Sequence, residues 1–308
     1  MRNAFANELT ELAAEDNRIV LLSGDIGNRL FDDYKSRYPQ RFFNCGVAEA
    51  NMMSMAAGMA LSGIRPITYT ITPFTTARCF EQIKVDVCFH NLPVIIIGVG
   101  SGLSYAELGP THHSNDDIAL LRILPNMTVI CPADSFEVRA ALRAALKHNG
   151  PVYIRLGKKG EQVVHGGIPE FTIGKGIIMK DGNDVCLLSA GNMLPTAMIA
   201  AEELEKHNIS TRVVSFHTVK PLDAELLSQA FAKFRVVVSI EEHGILGGFG
   251  SSVAEWLVGK GKTVGKLVCI GVADTFFCET GKQKDAHHYF GLTSEMVAKN
   301  TMEALLKQ

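Results

Sequence analysis

"RFFNCGVAEANMMSMAAGMALSGIRPITYTIT" runs from Arg41 to Thr72 and sets two structural patterns back to back. From Ala48 to Gly63 the Ala, Met and Gly residues read as a helix that is apolar almost all round and is stopped by Gly63. Arg65–Thr72 then reads as a β-strand. One residue is out of character. Glu49 stands inside the apolar run, and an unpaired buried carboxylate costs several kcal/mol. It needs a partner.

The same alternation continues in both directions. Upstream, "RIVLLSGD" (Arg18–Asp25) is a strand. Downstream, "RCFEQIKVDVCFH" is a helix and "LPVIIIGVG" (Leu92–Gly100) a strand. "SNDDIALLRIL" opens a further helix, with Ser114 as N-cap and Asp116 and Asp117 at its positive end. "MTVICPAD", "SFEVRAALRAALKHN" and "PVYIRLG" follow. Continuous Val, Ile and Leu strands are what a parallel sheet covered on both faces requires. A three-layer α/β domain is expected over residues 1–160.

Residues 161–182 are rich in Gly and Lys and weakly periodic, so a linker with a short hairpin is expected there. From "DVCLLSAG" onward the alternation resumes, and a second α/β domain of the same kind is expected over 183–308. The fold class is α/β, two three-layer domains in series with mainly parallel sheets.

Composition narrows the function. A chain of 308 residues, 47% apolar, supports two full cores, and a net charge of -2 gives no reason to expect nucleic acid or an anionic membrane. No apolar run approaches the roughly 20 residues a bilayer span needs. The N-terminus lacks the layout of a signal peptide. Seven cysteines, an odd number without a C-x-x-C, read as reduced thiols of a cytoplasmic protein. Neither G-x-S-x-G, H-E-x-x-H nor G-x-x-x-x-G-K-[ST] occurs. "GILGGFGSS" reads as a glycine turn before a helix rather than an anion cradle, and His287 and His288 are too close in sequence to converge on one metal.

The order of segments resembles the C-terminal part of the transketolase family of thiamine diphosphate enzymes. The matching pieces include "RFFNCGVAEANMMSMAAGMALSGIRPI", "PFTTARCFEQI", "GPTHHSNDDIALLRILPNM", "VSFHTVKPLD" and "EEHGILGGFGSS", and they cover nearly the whole chain. The resemblance implies a pyrimidine-binding domain followed by the family's C-terminal domain. It also implies a role for Glu49: the matching Glu binds N1′ of the cofactor's aminopyrimidine, which helps the 4′ nitrogen strip the thiazolium proton. An acid in a dry pocket suits that proton sharing.

Further roles follow by resemblance. Phe74 matches the aromatic against the pyrimidine, with Phe80 as the fallback. His112 of "GPTHH" matches the His that contacts the donor. Asp25 matches an acid near the cofactor, and Arg155 and Arg2 match positions that grip a sugar phosphate, for which guanidinium is suited. Two positions depart from the pattern: Gly100 replaces a phosphate-binding His, and Leu108 replaces an Asp that reads a donor hydroxyl. A modified or deoxygenated ketose donor, or a substrate of a surface-sugar pathway, is therefore expected.

The family holds the cofactor's diphosphate through Mg2+ or Ca2+ on a separate domain carrying G-D-G and a downstream Asn. This sequence has no G-D-G. A partner chain is expected to supply those ligands, as the N-terminal subunit of a split α2β2 transketolase, with self-association through both domains of this chain. A 2-oxo-acid dehydrogenase E1 β subunit, a 1-deoxyxylulose-5-phosphate synthase-like carboligase and a non-catalytic regulatory paralogue stand as alternatives.

Overall fold

The computed structural model describes residues 1–27, 29–261 and 263–307. The strands are β1 (Ile19–Ser23), β2 (Phe42–Asn44), β3 (Arg65–Ile71), β4 (Ile95–Val99), β5 (Thr128–Ile130), β6 (Val152–Leu156), β7 (Ile177–Lys180), β8 (Val185–Ser189), β9 (Thr211–Ser215), β10 (Thr218–Lys220), β11 (Val236–Gly244) and β12 (Lys266–Val272). They form a seven-stranded sheet, β10-β5-β6-β4-β3-β1-β2, and a five-stranded sheet, β12-β11-β8-β9-β7. Every pairing is parallel except the two edge strands, β10 on β5 and β7 on β9.

Alternation along β4 shows why the central strands must be apolar throughout. Ile95, Ile97 and Val99 face helices Arg2–Glu15 and Ser135–Lys147, while Val94 and Ile96 face helix Glu49–Leu61. In the second sheet Val185 and Leu187 of β8 face one layer, and Cys186 and Leu188 the other. The Cys186 side shares a single core with Met53, Val129 and Phe249, so the two sheets are packed together rather than strung on a tether.

Several sequence expectations are corrected. Residues 161–182 close no hairpin of their own; Ile177–Lys180 is an edge strand of the second sheet. The "VSFHTVKP" segment splits, and its second half, β10, crosses to the first sheet. Ser114 does not cap a helix. Its backbone bridges Gly102 in both directions, at 2.9 and 3.1 Å, and the helix starts later, Asp117–Arg122 with Asp116 as N-cap. Of the segment Arg78–His90, Ile83–Cys88 winds as a π-helix. Helix Gln283–Tyr289 was not foreseen, because its apolar content is low.

Candidate active site

The carboxyl ends of β1, β3, β4 and β6 open on one side of the first sheet, where ligands of α/β proteins bind. Glu49 is the first residue of helix Glu49–Leu61 and is only 2% exposed. Its Oε2 accepts a hydrogen bond from Arg78 Nη1 at 2.9 Å. The Arg78 guanidinium in turn lies over the Phe74 ring, 4.1 Å from its centroid. Phe74 meets the His112 imidazole edge to face at 5.2 Å, and Tyr105 flanks that imidazole at 5.9 Å. Glu49, Phe74 and His112, predicted from separate segments, are thus joined in one chain of contacts through Arg78.

Local geometry explains the convergence. Phe74 lies in the short helix Thr72–Thr75 and Arg78 in the 3-10 turn Ala77–Cys79 beyond the non-helical Thr76, and this bend leaves the guanidinium over the ring. His112 is carried by a loop that returns to β4 through the Gly102–Ser114 bridge. Thr111 Oγ1 and His112 Nδ1 are 2.9 Å apart, which fixes the ring. Burial lowers the His112 pKa, and the charges of His113, Arg78 and Lys158 lower it further, so the ring is held neutral.

Gly100 sits at the end of β4 with φ +72, and a Cβ there would overlap Cε2 of Tyr105. The Tyr105 ring fills the space beside Gly100. Lys158, just past β6, places Nζ 4.3 Å from the Tyr105 ring centroid and 2.5 Å from Glu107 Oε1. Leu108 closes a short turn and is 49% exposed, so it covers no buried hydroxyl. At the β1 end, Asp25 takes a positive φ of 56, is exposed and accepts from Asn44 Nδ2 at 2.8 Å.

Other expectations fail on burial. Arg155 does not face the cleft. It is 4% exposed, and its Nε and Nη2 bond both oxygens of fully buried Asp117 and the carbonyls of Ser114 and Glu242. A guanidinium enclosed in this way is not presented to a phosphate. Phe80 packs against the core rather than against His112. Arg2 lies beside the Tyr69 hydroxyl, which burial pushes up and Arg2 pulls back. Arg78, Tyr105 and Lys158 were missed by sequence reasoning.

The Gly-rich turn before helix Phe249–Val258 cradles a carboxyl group from within the chain: Glu241 accepts from Phe249 N–H at 2.6 Å and Gly250 N–H at 2.8 Å. His287 Nε2 lies 2.6 Å from Glu242 Oε1. Among the described residues no three His, Cys, Asp or Glu side chains gather as a metal site, and no helix is long and apolar enough to cross a membrane.

The cleft fits the pyrimidine of thiamine. It offers a buried acid, an aromatic face and the buried Thr70 hydroxyl, which has no partner among the described residues. Gly24 keeps the wall thin here, since a Cβ would stand 2.9 Å from Thr70 Oγ1 and 3.5 Å from Glu49 Cγ.

Residues 1–161 match the family described as transketolase, pyrimidine binding domain, and residues 174–297 match transketolase, C-terminal domain. The chain is 35% identical to a "putative transketolase C-terminal section" of Methanocaldococcus jannaschii, over 100% of this chain and 97% of that protein. It is 36% identical to the "6-deoxy-6-sulfo-D-fructose transketolase subunit SqwH" of Clostridium sp. MSTE9, over 98% and 94%. A solved structure described as "split gene transketolase, inactive beta4 tetramer" superposes with a TM-score of 0.91 at 36% identity, covering 99% of this chain and 98% of that one. With an acid, an aromatic and a histidine from separate segments meeting in one cleft, and with both domains matched, the chain belongs to the transketolase family, as its pyrimidine-binding and C-terminal section.

Proposed function

We propose that residues 1–160, joined by 161–182 to the domain 183–308, form the pyrimidine-binding half of a two-subunit transketolase that moves a two-carbon ketol unit from a ketose to an aldose. The observation that carries this reading is a 2%-exposed Glu49 whose one hydrogen bond, from Arg78, opens onto Phe74 and His112.

Thiamine diphosphate, when bound, would supply a nucleophilic thiazolium carbon and a charged ring that can take up an electron pair. Glu49 holds the proton at the pyrimidine's ring nitrogen in a site shielded from water. Phe74 supports the ring face. His112, kept neutral by burial and by surrounding cations, accepts and returns a proton at the donor's hydroxyl. Asp25 stands at the rim of the same side of the sheet. With Arg155 enclosed and Arg78 paired to Glu49, Lys158 is a second cation near His112 and meets the donor's anionic end by exchanging its pair with Glu107. Gly100 and Leu108 offer no partner for an inner donor hydroxyl, which supports a modified or deoxygenated ketose; the named activity of the SqwH relative is of that kind.

The diphosphate and a divalent metal, Mg2+ or Ca2+, are held by an N-terminal partner subunit in an α2β2 assembly. All seven cysteines are free, in keeping with a reducing, cytoplasmic setting.

Reconstitution tests this. The chain mixed with its N-terminal partner, thiamine diphosphate and Mg2+ is screened against ketoses with phosphate or sulfonate ends, with products read by mass. Transfer only by the mixture is expected. Tight, metal-dependent cofactor binding by the lone chain contradicts the two-subunit reading, and full activity on xylulose 5-phosphate contradicts the altered donor.

A further inference from the structure

We propose that Arg78 occupies the pyrimidine's seat in the uncombined chain and must be displaced before the cofactor can load. This rests on the reading of Glu49 and Phe74 given above. A guanidinium and an aminopyrimidine share three properties: both are flat, delocalised, and carry N–H groups that pair with a carboxylate. Arg78 uses all of them. Its Nη1 donates to Glu49 Oε2 at 2.9 Å, and its plane lies 4.1 Å from the Phe74 ring centroid. The acid and the aromatic face that a pyrimidine would use are therefore already taken.

The arrangement is also reversible. Glu49 is enclosed, but Arg78 is 45% exposed and makes one hydrogen bond to it, so the guanidinium can leave toward solvent without opening the core. In its absence Glu49 would be a buried charge without a counter-ion. Arg78 thus neutralises the acid until a ligand replaces it, at the cost of competing with that ligand. A site whose open form is only partly populated binds more weakly by that fraction.

The test uses the full chain alone and the hydroxymethyl-aminopyrimidine half of thiamine as probe, titrated by calorimetry. Wild type, Arg78→Ala, Arg78→Lys and Glu49→Gln/Arg78→Ala are compared, with circular dichroism reporting folding. Arg78→Ala is expected to bind the probe about tenfold more tightly than wild type. Arg78→Lys, which keeps charge and loses the plane, is expected to fall between them, and the double variant to lose binding. Equal or weaker binding by folded Arg78→Ala overturns the proposal, and Arg78→Lys serves the same comparison if the alanine variant does not fold. If no folded single variant binds the probe at all, the pyrimidine-site reading itself fails.

Discussion

Asp117 and Glu49 are both buried acids that meet an arginine, and the two pairs are built to opposite ends. Asp117 is 0% exposed and Arg155 4%, with two guanidinium–carboxylate bonds at 2.8 and 3.2 Å and a third, from the Tyr153 hydroxyl, at 2.6 Å. Burial would push the Asp117 carboxyl up, but the Arg155 charge and these bonds hold it below its ordinary value. In the cleft, Glu49 is just as enclosed, yet its arginine is half in solvent and holds it by one bond. Enclosing both partners makes a charge pair a fixture between the domains. Enclosing only the acid leaves a counter-ion that can be exchanged for a ligand.

Breaking the fixture should have the largest effect on stability. Arg155→Ala strands a buried carboxylate, and denaturant unfolding should show a loss of about 3–5 kcal/mol. The same change at Arg78 should cost less than half of that. A similar loss at both positions would erase the distinction.

Breaking the cleft should act on turnover instead. Glu49→Gln in the reconstituted enzyme should lower kcat by about 100-fold or more, with the melting temperature little changed. A variant that keeps its activity would make Glu49 a structural acid like Asp117.

A pH titration sharpens the contrast. Burial raises the Glu241 carboxyl from 4.5 to about 7, against the pull of the Gly250 and Phe249 N–H groups. A raised acid favours the fold while protonated. Its contribution is complete below the unfolded pKa and is lost as pH climbs through about 7. Glu241→Gln should flatten that decline by about 3 kcal/mol in unfolding experiments at low and high pH. The smallest effect is expected at the rim, where Lys158→Ala should raise KM for an anionic ketose about tenfold and leave kcat nearly unchanged, the mark of uniform binding.

How far the sequence could be read depended on the range of the interaction. Helix Glu49–Leu61 and the strands around Ile95–Val99 follow from local periodicity and were placed correctly. Short elements such as Phe42–Asn44 and Gln283–Tyr289 carry too few apolar positions to stand out. Glu49, Phe74 and His112 were identified by resemblance, and the structure brings them together. Arg155 was misread because a motif gives a residue type at a position. It does not say whether Asp117 will claim the guanidinium first.

The linear chain by itself determined the alternation of strands and helices, the two matched domains and the anomaly of an acid among alanines and methionines. These depend on residue type and on spacing within a few turns. Only the tertiary structure decided which arginine each acid keeps, that Tyr105 fills the space beside Gly100, and that Arg155 is enclosed while Lys158 lies over the Tyr105 ring. Those outcomes depend on burial and on partners dozens of residues away, and no local pattern encodes them.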